Sequence, residues 1–331
     1  MKKLTFSIIF LTLFSLMTLF ASSCSNKLPQ ETPPSIVETT ETTETTPSEE
    51  ETSTEESLPQ SSARFSADFS AKHGRIAADK GFFADKDGNR ICLKGLFCDY
   101  EAMPEGFYNK DTFQTFAEDW GCGLMEIPVF EDHNGAGFIN EGEDYLNQIC
   151  EYINFCNDFG MYAVVSAEGK LPSDSSRAAD FFKRLSAIYS GNEAVLYEIS
   201  GNESENEDYK KYRDTIINSI RENDPESLII CETNDLDSVA GNPVKGDNIA
   251  YITLYDASEN FQEKLENAQS SGIPVIVSYD SDSPVNHNES WVYRDIVKLF
   301  VPDIDKEKLT AGHWSDDMLN TGINIRMIIG I

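Results

Sequence analysis

The sequence predicts an α/β chain that closes as a (β/α)8 barrel. Short apolar runs alternate with amphipathic stretches of helical period from Gly81 onward. Repeated strand–helix units of this kind build a parallel sheet. A single series spanning about 270 residues has barrel length, and no GxGxxG phosphate loop follows the first strand to favour an open dinucleotide-binding sheet.

The chain begins with Lys2 and Lys3, an apolar run Leu4–Phe20, and small residues Ala21, Ser22 and Ser23. This is the layout of an export signal. Cys24 follows directly, as in bacterial lipoprotein signals whose cysteine takes the lipid, although Ala21 stands where those signals usually carry Leu. An ordinary cleaved signal, or an uncleaved anchor, is the alternative. Residues 25–63 are Thr, Glu, Ser and Pro with nine Glu and one Lys. They bury too little apolar surface to offset chain entropy, so they are expected to be disordered, and like charges keep them extended. The expected organisation is a lipoprotein-type signal at 1–24, a disordered tether at 25–63 and a folded domain at 64–331. It would be exported and held at a bacterial surface through Cys24.

Lys and Arg number 26 against 57 Asp and Glu, a net charge of −31. Such a chain is a poor nucleic-acid partner, because phosphate binding needs clustered cations. Cys92, Cys98, Cys122, Cys150, Cys156 and Cys231 form no CxxC pair and no Cys/His zinc spacing. They leave 15 disulfide connectivities open. No cofactor and no metal ligand set is expected, and the sequence is silent on oligomeric state.

The folded domain opens with a hairpin signal. Gly81–Ala84 and Arg90–Leu93 flank the turn Asp85-Lys-Asp-Gly-Asn89. Expected strands follow at Leu124–Phe130, Met161–Val165, Ala194–Ile199, Leu228–Cys231, Ile249–Leu254 and Pro274–Ser278. Helical periodicity covers Asp111–Trp120, Asp144–Phe159, Arg177–Tyr189, Asp208–Asn223 and Asn260–Ser270, with Asp224-Pro225 and Gly272 as stop signals.

A set of ordered segments carries a family resemblance. They are His73-Gly-Arg75, Gly81–Gly95, Asn109-Lys-Asp111, Asp119-Trp-Gly121, Asn134–Phe138, Gly160-Met-Tyr162, Val195–Ile199, Asn223-Asp-Pro225 and Gly272–Ser278. From Lys72 onward the chain resembles glycoside hydrolase family 5, the cellulases. The resemblance implies a (β/α)8 barrel acting on β-1,4-glucans and related chains with retention. That chemistry uses two carboxylates about 5 Å apart at strand ends.

Mapped through the resemblance, most of the expected residues are substituted. The acid/base motif falls on Tyr197-Glu-Ile-Ser-Gly-Asn-Glu203. With one inserted residue, Asn202 and Glu203 fill its Asn-Glu pair; without it, Gly201 and Asn202 do and the acid is lost. The nucleophile position after Pro274–Ser278 is Tyr279, with Asp280 next to it on the opposite strand face. The family's strand-two Arg becomes Glu126, and the His after strand one aligns with Asp99. Glu168 closes the strand-three motif, and a family His falls on Leu254 within Tyr251–Tyr255. Trp291 and Trp314 compete for the sugar-stacking position. The short C-terminal region implies a trimmed last βα unit.

Loss of one member of a cooperating catalytic set costs orders of magnitude in rate. The expected function is therefore a surface-tethered, catalytically degenerate cellulase-like barrel that binds glycan or a protein partner. Its binding residues would be Asp99, Glu126, Glu168, Asn202, Tyr251, Tyr255, Trp291 and Trp314. The alternative is an active endoglucanase-like hydrolase with a rewired acid pair, and a structureless acidic spacer is a third reading. Clustering of Asp99, Glu126 and Glu168 would favour a rewired acid pair or a metal site.

Overall fold

Eight parallel strands close into a barrel in a computed structural model that describes residues 68–98, 107–132, 137–168, 175–201, 207–258, 260–280, 285–286 and 288–294. The chain divides between Leu58 and Pro59, and every described residue belongs to the C-terminal part. The signal and the tether lie outside the described residues.

Three short strands come first: β1 (Ala77–Asp79), β2 (Phe82–Ala84) and β3 (Arg90–Ile91) form an antiparallel sheet. The β2–β3 turn is held by Asp85, whose Oδ1 accepts from Asp87 N and Asn89 N at 3.0 and 2.8 Å. Gly88 in that turn has φ +78°, a conformation that disfavours a side chain. The segment covers the N-terminal end of the barrel. Asn248, just before a barrel strand, bonds Ala78 N and Ile76 O, and Tyr162 donates to Gly74 O.

The barrel itself runs β4 (Lys94–Phe97), β5 (Leu124–Phe130), β6 (Tyr162–Glu168), β7 (Val195–Ile199), β8 (Ile229–Glu232), β9 (Ile249–Leu254), β10 (Val275–Tyr279) and β11 (Ser290–Tyr293). The expected strands at Leu124–Phe130 and Ile249–Leu254 form with those bounds. Two strands escaped the sequence reading. β4 follows the hairpin, and β11 closes the barrel between β10 and β4. The eighth strand is therefore present, and the expected trimming applies only to what joins it. Asp280–Glu289 connects β10 to β11, too short for a helix like those elsewhere.

Helices α1 (Phe69–His73), α2 (Lys110–Gln114), α3 (Glu143–Asp158), α4 (Ser175–Ile188), α5 (Glu207–Arg221), α6 (Leu236–Gly241) and α7 (Phe261–Ser270) complete the described elements, with a π turn at Thr115–Asp119 extending α2. Asn109 caps α2 by accepting from Thr112 N at 3.0 Å. The long helices carry one buried face each. On α3 it is Tyr145, Leu146, Ile149, Tyr152, Ile153 and Cys156, a three-and-four spacing.

Strand alternation splits the core into two layers. Residues such as Leu124, Val164, Leu196, Ile230, Ile252 and Ile276 fill the barrel interior. Their neighbours Met125, Val165, Tyr197, Cys231, Tyr251 and Val277 pack outward under the helices. Each fully buried aliphatic side chain contributes roughly 1.5–3 kcal/mol. Backbones also approach closely inside: a Cβ on Gly95 would stand 2.0 Å from Leu124 O. All six cysteines of the described residues are free thiols. No helix among the described residues is long and apolar enough to cross a membrane.

Candidate functional site

The inward parity that places Leu124, Val164 and Leu196 in the interior also turns the residues above them toward the axis. At the C-terminal end of the strands these are Glu126 on β5, Ser166 and Glu168 on β6, and Glu198 with the following Ser200 on β7. Glu232 ends β8, and Ser278 lies on β10. Arg294 directly follows β11.

These side chains form one network. Arg294 Nη2 stands 3.4 Å from Oε1 of Glu126 and 3.4 Å from Oε1 of Glu198. Its Nε donates to Ser278 Oγ at 2.5 Å, and its guanidinium lies 4.7 Å over the Phe97 ring. Ser200 Oγ is 3.0 Å from Oε1 of both Glu168 and Glu198. Ser166 Oγ donates to Glu168 Oε1 at 2.6 Å. Gly201 N donates to Glu232 Oε2 at 2.9 Å. One oxygen from each of Glu126, Glu168 and Glu198 lies within 4.8 Å of the others.

Burial dominates the electrostatics. Glu126 is 0% exposed and Glu198 1%. Burial pushes the Glu198 carboxyl up to about 7, against the pull of Arg294 and with Glu168 and Glu232 adding to the rise. Glu126 is held well above the usual carboxylate range by burial, again opposed by Arg294 and reinforced by Glu198, Glu168 and Glu232. Burial works against the Arg294 cation, but Glu126 and Glu198 more than offset it and its pKa rises.

Of the residues singled out in the sequence, Glu126 and Glu168 come together here. Tyr279 does not join them. Its parity turns it outward, where its ring stacks on Tyr255 at 5.1 Å and its hydroxyl accepts from Asn286 N. Tyr251 is also in the outer layer, and its hydroxyl accepts from Val244 N at 2.7 Å. Trp291 is fully buried beside Lys94 and Val277, deep in β11, and offers no face for sugar stacking. These two differ from the sequence expectation because outward parity buries them under the helix layer. Tyr255 is half-buried next to the exposed Leu254. Asp99, Asn202, Glu203, Trp314 and Cys24 lie outside the described residues.

Sequence reasoning missed Glu198, Ser200, Glu232 and Arg294. Glu198 was within reach, because it lies two residues after inward Leu196. Arg294 was not, since β11 had not been assigned and its parity had no reference.

Residues 84–292 match the family Cellulase (glycosyl hydrolase family 5). Relatives include "Endoglucanase 5" of Pectobacterium carotovorum subsp. carotovorum, 24% identical over 231 residues, covering 65% of this chain and 45% of the relative. "Endoglucanase A" of Butyrivibrio fibrisolvens is 26% identical over 251 residues, covering 68% and 58%. The chain thus spans about half the length of the curated relatives it matches. Among solved structures, the catalytic domain of Thermobifida fusca endoglucanase Cel5A superposes with TM-score 0.64 at 17% identity, over 80% of this chain and 100% of that one. A Cytophaga hutchinsonii structure gives TM-score 0.67 at 18% identity, over 80% and 98%. At these identities the structural likeness establishes the fold.

Proposed function

The chain belongs to glycosyl hydrolase family 5, the cellulase family, and from that membership we propose that it is a glucan-binding barrel that does not cut its ligand. The observation that carries this reading is the engagement of the acids with each other. Glu126 and Glu198 share Arg294 and are sealed from solvent, and Glu168 receives serine hydroxyls. A glycosidase needs one carboxyl free to protonate the leaving oxygen and a second free to attack or to activate water. Carboxylates at 0–1% exposure reach neither. Outward-turned Tyr279 supplies no replacement nucleophile.

Sugar binding asks for less. The exposed Leu254 and half-buried Tyr255 and Phe130 stand at strand ends, where apolar faces suit sugar rings. The relatives' names point to β-glucan as the polysaccharide. Lipidation at Cys24 and an extended 25–63 tether would hold the barrel out from a bacterial membrane.

A day's incubation of the purified protein with cellopentaose, xylopentaose or mannopentaose, read by mass spectrometry, tests the reading. Intact oligosaccharides are expected, with saturable cellopentaose binding by calorimetry. Shorter products overturn it.

One observation favours a second reading, a rewired hydrolase. The Glu126, Glu168 and Glu198 oxygens within 4.8 Å approach the roughly 5 Å separation of a retaining pair. Products that vanish in Glu203→Gln would assign that residue as the acid; products that survive the change would move the search to Glu168 and Glu198.

A further inference from the structure

We propose that Glu126, Glu168 and Glu198 bind a hard divalent cation, calcium before manganese, at the C-terminal end of the barrel. The inference does not depend on the glucan reading.

The first argument is geometric. One oxygen of each carboxylate lies within 4.8 Å of the other two. A point equidistant from three such atoms is about 2.8 Å or less from each in a near-equilateral arrangement, and calcium–oxygen bonds run about 2.3–2.6 Å. Small side-chain adjustments reach that range. Magnesium demands roughly 2.0–2.1 Å in near-octahedral geometry and fits less well. The donors are all carboxylate oxygens, with no imidazole or thiolate among them. Such a set suits calcium or manganese and not zinc.

The second argument is independent of the spacing. Both oxygens of Glu126 and Oε2 of Glu198 are buried with no hydrogen-bond donor. A buried acceptor without a donor is costly and rare in a folded protein. Arg294 does not relieve this. It stands at 3.4 Å from a single oxygen of each acid and makes no hydrogen bond to Glu126. A cation seated against the orphaned oxygens would complete them.

Charge points the same way. Three carboxylates, with Glu232 close enough to act on both buried ones, face a single guanidinium. The excess negative charge lies in a low-dielectric interior and calls for a further positive species.

The surroundings resemble the support a ligand set needs. Ser166 and Ser200 hydroxyls hold the Glu168 and Glu198 carboxylates from behind, on their Oε1 atoms. Glu168 is half-buried, so the cluster opens on its side, where water would supply the remaining coordination.

The test uses the purified full chain, stripped with EDTA, exchanged into chelator-free buffer and titrated calorimetrically with CaCl2 and then MnCl2, with no saccharide present. The expected result is one saturable equivalent per chain and a melting temperature that rises with calcium and falls back with EDTA. Glu168→Gln and Glu126→Gln should each weaken binding at least about tenfold, the loss typical of disturbing a metal's ligand environment. Both should keep the wild-type circular dichroism spectrum, and Glu126→Gln removes a buried charge, so its melt in EDTA should not fall. No saturable uptake overturns the proposal, as does uptake that Glu168→Gln leaves unchanged, which would assign binding to the acidic tether. Stabilisation by acid alone, without metal uptake, also overturns it and identifies a shared proton. None of these outcomes touches the glucan reading, which rests on oligosaccharide binding.

Discussion

Replacing Arg294 by Met should destabilise the barrel sharply, through what it leaves behind. The guanidinium is the cation that faces both Glu126 and Glu198, at 3.4 Å from each. Without it, carboxylates at 0% and 1% exposure lose their countercharge. Removing one partner of a buried ion pair costs about 3–5 kcal/mol. Arg294 itself is 21% exposed, so some water screens the site and the lower end applies, about 3 kcal/mol. For a domain of this size that is a fall of roughly 6–12 °C in melting temperature. The cost should shrink as pH drops. Glu198 already holds its proton up to about 7, and losing the cation raises that further, so protonated acids need no partner in acid. Urea unfolding followed by circular dichroism at pH 6 and pH 8, in EDTA, measures both effects. Adding Glu198→Gln to Arg294→Met should recover part of the loss, with a coupling of about 1–3 kcal/mol. A loss below about 1 kcal/mol at pH 8, or strict additivity in the double variant, would refute the claim that Arg294 holds the acids together.

Tyr279→Phe removes a hydroxyl that accepts one backbone bond from Asn286, so urea unfolding should show a loss of about 1 kcal/mol with cellopentaose affinity unchanged. A large loss of binding or of any hydrolysis would put Tyr279 back in the site. Trp291→Phe should cost about 1–3 kcal/mol of stability by opening space in the core and change cellopentaose affinity less than twofold, read by the same unfolding assay and calorimetry. A tenfold affinity loss at intact stability would contradict its placement. Gly95→Ala should lower soluble yield or cost more than about 3 kcal/mol, because its Cβ would meet Leu124 O at 2.0 Å inside the barrel. A melting temperature within 2–3 °C of wild type, under about 1 kcal/mol, would show that β4 and β5 can move apart.

Much of the architecture was legible along the chain because its causes are local. Alternating runs such as Leu124–Phe130 and Ile249–Leu254 bury the same residues whatever the chain does elsewhere. The three-and-four spacing on α3 and the Asp224-Pro225 stop after α5 are equally local. Family membership was also readable, since the ordered segments from His73 to Ser278 survive without their catalytic residues. The barrel's closing edges were not. Lys94–Phe97 and Ser290–Tyr293 are four residues each, and only their pairing with each other and with β5 and β10 makes them strands.

The site depended on that closure. Period-two alternation assigns a face only once a strand's bounds are known, which is why Glu126 was readable and Arg294 was not. The same parity turned Tyr279, Tyr251 and Trp291 away from the axis, although their residue types suit a sugar site. Arg294 meets Glu126 across most of the folded chain because β11 pairs with β4, and β4 with β5. The sequence by itself determined which residues alternate and which family they belong to. The tertiary structure decided which acids share a cation, because burial and Coulomb attraction act through space, between strands that only barrel closure brings together.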